Sequence, residues 1–357
     1  MQAPHPRASR IALLVVLLAL ATLLLSSCYI TGEGLHYLGL LSRGRPVAAS
    51  LADPKTPEAT KELLRRATAI EAFGRERLGQ RETRNFRKIV ELQSDTLVHV
   101  VQACAELSFD RYLWNYPLVG KLPYRGYFET AGADKEASRL RALGFDVIVR
   151  PADAFSTLGW LSDPLWSFMS NYDESELADL VLHELTHATA FWKGEGDWNE
   201  ELATFVGREG SLLWLEERYG KESKEVAAAK AAGKDAATFA AFLGETAKEL
   251  ETIYASKIPD EEKRARKAAT IAERAALFTK DYDRLFGSDR YRGVKMDRIN
   301  NAWLDLYRLY EGEPALYHDY YEKISRSDLR AFIADMAALA KGKEDPKAVM
   351  RKRLSES

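Results

Sequence analysis

Two histidines and a glutamate stand at His183-Glu184-Leu185-Thr186-His187, the spacing at which a helix shows both imidazoles on one face. From that face the two rings can reach one Zn²⁺ at about 2.0–2.1 Å. Glu184 falls toward the adjacent solvent side, where it can take a proton from a water molecule. Leu177, Leu180, Val181 and Leu185 supply the apolar period of a helix, with Asp173 or Ser175 as candidate caps. Burying two neutral histidines and a glutamate with no metal would be costly. The bland alternative is a chance grouping on a helix surface, where both residue types are common.

A catalytic zinc site needs a third protein ligand and one position left for water. The helix must therefore stop and the chain return. Gly194 and Gly196 supply the turn, and Trp198-Asn199-Glu200-Glu201-Leu202-Ala203 opens a new helix. An antiparallel pair brings Glu200 to the level of His183 and His187. Glu201 is the close competitor, rotated by about 100°; Asp197 and Glu195 rank lower because they sit in the turn. No further histidine follows His187 at a short spacing. His36, His99 and His318 read as structural or surface residues, His318 being a weak alternative ligand.

A zinc ion held this way polarises a carbonyl and lowers the pKa of bound water toward about 7. Glu184 would be the general base and then return the proton to the leaving amine. An oxyanion donor is also needed. Tyr307 and Tyr310 on a helix, and Tyr124 and Tyr127 in an aromatic loop, are candidates whose default role is packing.

The elements that must position this chemistry are mostly helices. Helical spacing begins beyond Pro57, with Leu63, Leu64, Ala67, Ile70 and Phe73, and stops near Gly79. The stretch from Glu82 to Leu107 also reads as helical, with Val98 to Val101 as a possible strand. KLPYRGYFET suits a short strand or ordered loop, and 134–143 a helix ending at Gly144. Phe145 to Val149 alternates as a strand that ends before Pro151. From Glu174 onward the pattern is helical, including a long hairpin over 221–285 that breaks at Ile258-Pro259, where Asp260, Glu261 and Glu262 favour a helix start. The expected fold is mainly α with a small β-sheet (α+β).

At the N-terminus, Arg7 and Arg10 precede an apolar run from Ile11 to Leu25. At about fifteen residues it matches a signal-peptide core better than a membrane span. It ends in Leu25-Ser26-Ser27-Cys28, which resembles a bacterial lipobox: residues 1–27 would be removed and Cys28 lipidated. Ile30 in place of an acidic residue favours the outer membrane, facing the periplasm. Cys104 is then the one remaining cysteine, with no intramolecular disulfide available. It sits in an apolar run, as a small buried hydrophobe would. The 357 residues carry 51 basic and 53 acidic groups, which argues against a nucleic-acid footprint.

Several ordered segments together resemble a family of bacterial predicted zinc aminopeptidases. They are the lipobox at Cys28, LPYRGYF (122–128), FSTLGWLSDP (155–164), HELTHATAFWKGEGDWNEELATFVGREG (183–210) and INNA (299–302). The resemblance spans nearly the whole mature chain, 28–357. It implies a zincin-like peptidase domain with Zn²⁺ as cofactor and a peptide as substrate. It also implies that the acid of the Asn-Glu pair, Glu200, is the third ligand. The family often has a small residue after that acid, where this chain has Glu201, an extra carboxylate that would lie near the site. An aminopeptidase also needs a carboxylate for the substrate ammonium group, for which Glu195, Glu201 and Asp163 are candidates. Gly159, in the STLGW stretch, would contact the substrate backbone or simply turn the chain. The rival readings are an envelope quality-control endopeptidase and a lipid-anchored scaffold with a purely structural zinc.

Overall fold

The computed structural model describes residues 29, 32–116, 120–152, 162–310 and 314–357. The expected signal peptide, Cys28 and Gly159 lie outside the described residues, as does the side chain of Tyr310. Helix α1 (32–42) is followed by strand β1 (Arg45–Pro46) and the short α2 (Val47–Ala52). Helix α3 (Glu58–Glu76) begins directly after Pro57 and buries Leu63, Leu64, Ala67, Ile70 and Phe73, the stripe read from the sequence. The chain then reverses through Gly79, whose φ of 72° lies in the left-handed region.

The helix expected between Glu82 and Leu107 is not formed. That stretch instead contains β2 (Lys88–Val90) and β3 (Val98–Ala105). Its valines are buried on both faces of the strand, and a strand covered on both sides shows a continuous apolar run that periodicity cannot tell from a buried helix. Next come β4 (Trp114–Tyr116), β5 (Gly120–Leu122), β6 (Tyr124–Tyr127), α4 (Thr130–Ala142) and β7 (Phe145–Ala152). Val101 and Ala103 face α4, sharing a cluster with Ala137 and Leu140. Cys104 and Ile148 face the opposite way, against Ala302. Burial pushes the Cys104 thiol up to about 12, the behaviour of an inert core residue.

The described strands form three small sheets where one was expected. They are β6-β3-β7, all antiparallel; β4-β5; and β1-β2-β8, in which β8 (Leu165–Trp166) runs parallel to β2. Strand β7 continues past its expected end and pairs Pro151 with His99. It is an edge strand of its sheet, so the missing proline N–H leaves no partner unsatisfied.

After β8 the structure is helical: α5 (Glu174–Thr189), α6 (Gly196–Tyr219), α7 (Lys224–Ala255) and α8 (Asp260–Leu285). They are followed by α9 (Asn301–Tyr310), α10 (Pro314–Lys323), α11 (Leu329–Leu339) and α12 (Pro346–Glu356). Helices α7 and α8 make the expected hairpin, with Pro259 one position earlier than expected, at the cap of α8. The molecule is thus mainly helical with small sheets. One core cluster joins α3, α5, α6 and the C-terminal helices; a second joins α7, α8 and α9. No helix among the described residues is long and apolar enough to cross a membrane.

Helix α5 lies between α3 and α6 at distances that only glycine permits. A Cβ on Gly74 of α3 would stand 2.8 Å from Leu185 Cδ1 and 3.0 Å from Leu182 Cδ2. One on Gly207 of α6 would stand 2.2 Å from Asp179 Oδ1 and 2.8 Å from the Asp179 carbonyl oxygen.

Candidate metal centre

Helix α5 starts on a capping box. The Asp173 carboxylate accepts the Glu176 N–H at 2.8 Å, and the Glu176 side chain accepts the Asp173 N–H in return. Of the two candidate caps, the structure uses Asp173. The apolar face of the helix, Leu177, Ala178, Val181, Leu182 and Leu185, is fully buried. Gln80 grips the helix midway, its Nε2 donating to the Leu182 carbonyl and to Thr186 Oγ1, both at 2.8 Å. These contacts fix the rotation of α5, and with it the face carrying His183 and His187.

The return to Glu200 is fixed by its neighbour. Asn199 Oδ1 accepts the Trp192 N–H at 2.8 Å and Asn199 Nδ2 donates to the Trp192 carbonyl at 2.9 Å. The amide thus copies a backbone pair across the turn. Asn199 is 3% exposed and Trp198 2% exposed, so the start of α6 is buried and held. Gly194, at φ 94°, takes the left-handed conformation in the turn.

The outcome is three converging donors. His183 Nε2 and His187 Nε2 are 3.1 Å apart. Glu200 Oε2 is 3.6 Å from His183 Nε2, and Glu200 Oε1 is 3.5 Å from His187 Nε2. Donors bonded at 2.0–2.2 Å around a tetrahedral ion are separated by about 3.3–3.6 Å, so the set fits one ion with only a slight opening of the histidine pair. Among the described residues no fourth His, Cys, Asp or Glu joins the group. A structural zinc site is closed by four protein ligands, whereas a catalytic one keeps a position open. The imidazoles are 20% and 23% exposed and the Glu200 side chain 47%, so the open side is reachable from solvent.

The electrostatics suit this arrangement. Burial drives His187 down to about 4, His183 adding to the fall and Glu200 opposing it; the neutral ring is the form that binds a metal. Burial works against a charged His183, but contact with Glu200 and the fields of Glu184, Glu200 and Asp179 raise it. Burial also works against Glu200, yet the two imidazoles hold it below the usual carboxylate range. Burial pushes the Glu184 carboxyl up to about 7; His183 pulls it back, and the charges of Asp163 and Glu200 add to the rise.

The other residues singled out in the sequence lie elsewhere. Glu201 is buried against the C-terminal helices: its Oε2 accepts the Tyr317 hydroxyl at 3.0 Å and pairs with Lys347 Nζ at 2.6 Å. The extra carboxylate after Glu200 therefore clamps helices and is directed away from the three donors. Tyr307 packs in the second core cluster, 5.4 Å from Phe239 and 4.9 Å from Trp303 between ring centres. His318 is exposed beside Glu322, His99 meets Thr130 Oγ1 at 2.9 Å, and His36 stacks on Phe128. Glu195 and Asp197 are exposed and outside the donor group.

Two neighbours were not legible as such. Asp179, one turn before His183, faces Gly207, and burial raises its carboxyl above the usual range. Its spacing of four from His183 was the available signal. The second is Tyr37, whose hydroxyl donates to Asp163 Oδ1 at 3.0 Å; nothing local in the sequence links those two positions.

Comparison with known proteins gives one family. A family model described as "Putative aminopeptidase" matches residues 28–350. No curated protein and no solved structure matches the chain.

Proposed function

Because the chain belongs to the family described as "Putative aminopeptidase", we propose that it is a zinc-dependent aminopeptidase of the zincin type, with His183, His187 and Glu200 as metal ligands and Glu184 as general base. The observation that carries the reading is the spacing of the three donors, 3.1 to 3.6 Å, with an unpartnered carboxylate at the next position of the same helix. When bound, zinc supplies a Lewis acid that polarises the scissile carbonyl and makes water a competent nucleophile near neutral pH.

The chain's own residues do the rest. His183 and His187 present neutral nitrogens from a rigid helix, and Glu200 brings the single negative charge of the ligand set. Glu184 makes no hydrogen bond or ion pair among the described residues, so its oxygens are available to a water molecule. It takes the proton of the attacking water and gives it to the departing amine nitrogen. A purely structural zinc would need neither the open fourth position nor a base beside it, which counts against the scaffold reading.

Glu184→Gln tests this directly. The variant should retain about one zinc per chain and lose turnover of short peptides by about 10²–10⁴-fold, the usual share of a positioned base. Undiminished turnover would sink the mechanism. We extend the proposal to location: with Cys28 lipidated, the domain would work tethered in the cell envelope. Cys28→Ser should move the protein from the membrane to the soluble fraction, and retention on the membrane would count against the anchor.

A further inference from the structure

Helix α1 (32–42) opens close after Cys28, across a stretch that spans at most about 14 Å when fully extended. Tyr29, the residue next to that cysteine, is bolted to the domain. Its hydroxyl donates to the Gly126 carbonyl. Arg125 lies 3.7 Å above its ring, and the rings of Tyr127 and Tyr116 stand 5.4 and 6.2 Å away. Just beyond Gly126, the Phe128 N–H donates to Glu33 of α1 at 3.1 Å. Whatever is attached to Cys28 is therefore held beside the start of α1, one Cα–Cα step of about 3.8 Å from a fixed residue.

One face of α1 is committed inward. Tyr37 and Leu40 are buried, and the Tyr37 hydroxyl donates to Asp163 Oδ1 at 3.0 Å. The Tyr37 ring stands 5.9 Å from Phe128 and 6.3 Å from Trp166. These contacts fix the rotation of the helix and turn Leu35 and Leu38 outward. Three residues apart, the two leucines are surface neighbours, and they are 69% and 50% exposed.

No full charge accompanies them. Glu33 is the only Asp, Glu, Lys or Arg of α1, and it is turned onto Phe128. Gly32, Gly34 and Gly39 have open space where a Cβ would stand, so no close approach within the protein accounts for them. Glycine weakens a helix in water relative to alanine; here it leaves a flat flank from which the leucines project. Arg43 follows, exposed, where a lipid phosphate would suit it. A helix apolar on its outer side and too short to span a bilayer can lie in the plane of its surface.

We propose that the outward face of α1, through Leu35 and Leu38, inserts into the surface of the phospholipid bilayer that carries the Cys28 anchor, so that the domain lies on the membrane in one orientation. The assignment rests on the anchor proposed above and adds a second, non-covalent contact to it. Burial of the leucines withdraws apolar surface from water. The anchor keeps the local concentration of bilayer high, which lets so small a patch suffice.

The test uses the full-length lipidated protein in vesicles of phosphatidylethanolamine and phosphatidylglycerol. A nitroxide is attached at Leu35→Cys, at Leu38→Cys or, as a control, at Leu277→Cys, an exposed position on α8. Cys104 is buried and takes up no label. Relaxation by oxygen, which concentrates in hydrocarbon, is compared with relaxation by a water-soluble nickel chelate. The labels at 35 and 38 should favour oxygen and the label at 277 nickel. Flotation of the vesicles reads the anchor separately. Protein that floats while the labels at 35 and 38 favour nickel overturns the docking and spares the anchor; protein that does not float overturns both. Oxygen favoured at all three positions overturns the single orientation. Labels at 35 and 38 shielded from both relaxants, with spin–spin broadening, would put a second copy on this face and overturn the proposal as well.

Discussion

At the scale of single residues, Glu184 carries a marked electrostatic strain. Burial pushes its carboxyl up to about 7, whereas in an unfolded chain it would titrate near 4.3. In metal-free protein the folded state thus keeps a proton that the unfolded state has released, so stability falls as pH rises from about 4.3 through 7. Glutamine cannot titrate. Metal-free Glu184→Gln should match wild type at pH 4 and exceed it at pH 8 by up to ~3 kcal/mol, measured by denaturant unfolding with a chelator present. A difference that does not vary with pH would remove this account. Zinc should narrow the gap by setting a cation beside the carboxylate.

At the scale of elements, the proposed metal site is a property of how two helices approach. Gly207→Ala would push a methyl group against Asp179, and overpacking of this kind costs about 1–3 kcal/mol. Because the contact is one turn from His183, zinc affinity should fall along with melting temperature. Unchanged zinc affinity in a destabilised variant would show that the approach of α5 to α6 does not set the site. This hairpin was legible because its determinants are local: a helical period, a glycine turn and an acid soon after. Glu82 to Leu107 was misread for the converse reason. Its buried residues answer to α4 on one side, through Val101 and Ala103, and to Ala302 of α9 on the other, through Cys104, partners remote in sequence. The Tyr37–Asp163 contact was hidden the same way, since only the folded chain joins α1 to the segment leading into β8.

At the scale of the whole molecule, the C-terminus supports the centre from behind. Glu201 follows Glu200, a proposed metal ligand, and is paired with Lys347 at the start of α12, the two side chains being 7% and 19% exposed. Removing one partner leaves a charge buried without compensation. Lys347→Met should cost about 3 kcal/mol and lower zinc affinity through the disturbed start of α6. Adding Glu201→Gln should restore much of the loss, because no charge is then stranded. If the double variant is no more stable than the single one, charge pairing is not what α12 contributes. The sequence marked Glu201 as unusual beside Glu200 but carried no sign of its partner, which lies near the other end of the chain.

All three donors come from consecutive helices, and the polypeptide between His183 and Glu200 closes on itself through one tight turn. Loop-closure entropy grows with the length of chain to be closed, so this circuit is inexpensive to complete compared with the strand pairings and the Glu201–Lys347 contact. Capture of a metal by these three donors could begin before those distant contacts form, at a lower affinity than the complete fold provides. Ligation by a partly folded chain would hold α5 against α6 while the rest of the molecule is still assembling, and the binding free energy would then act as folding free energy. An ion bound as proposed would then also be an early organiser of the core.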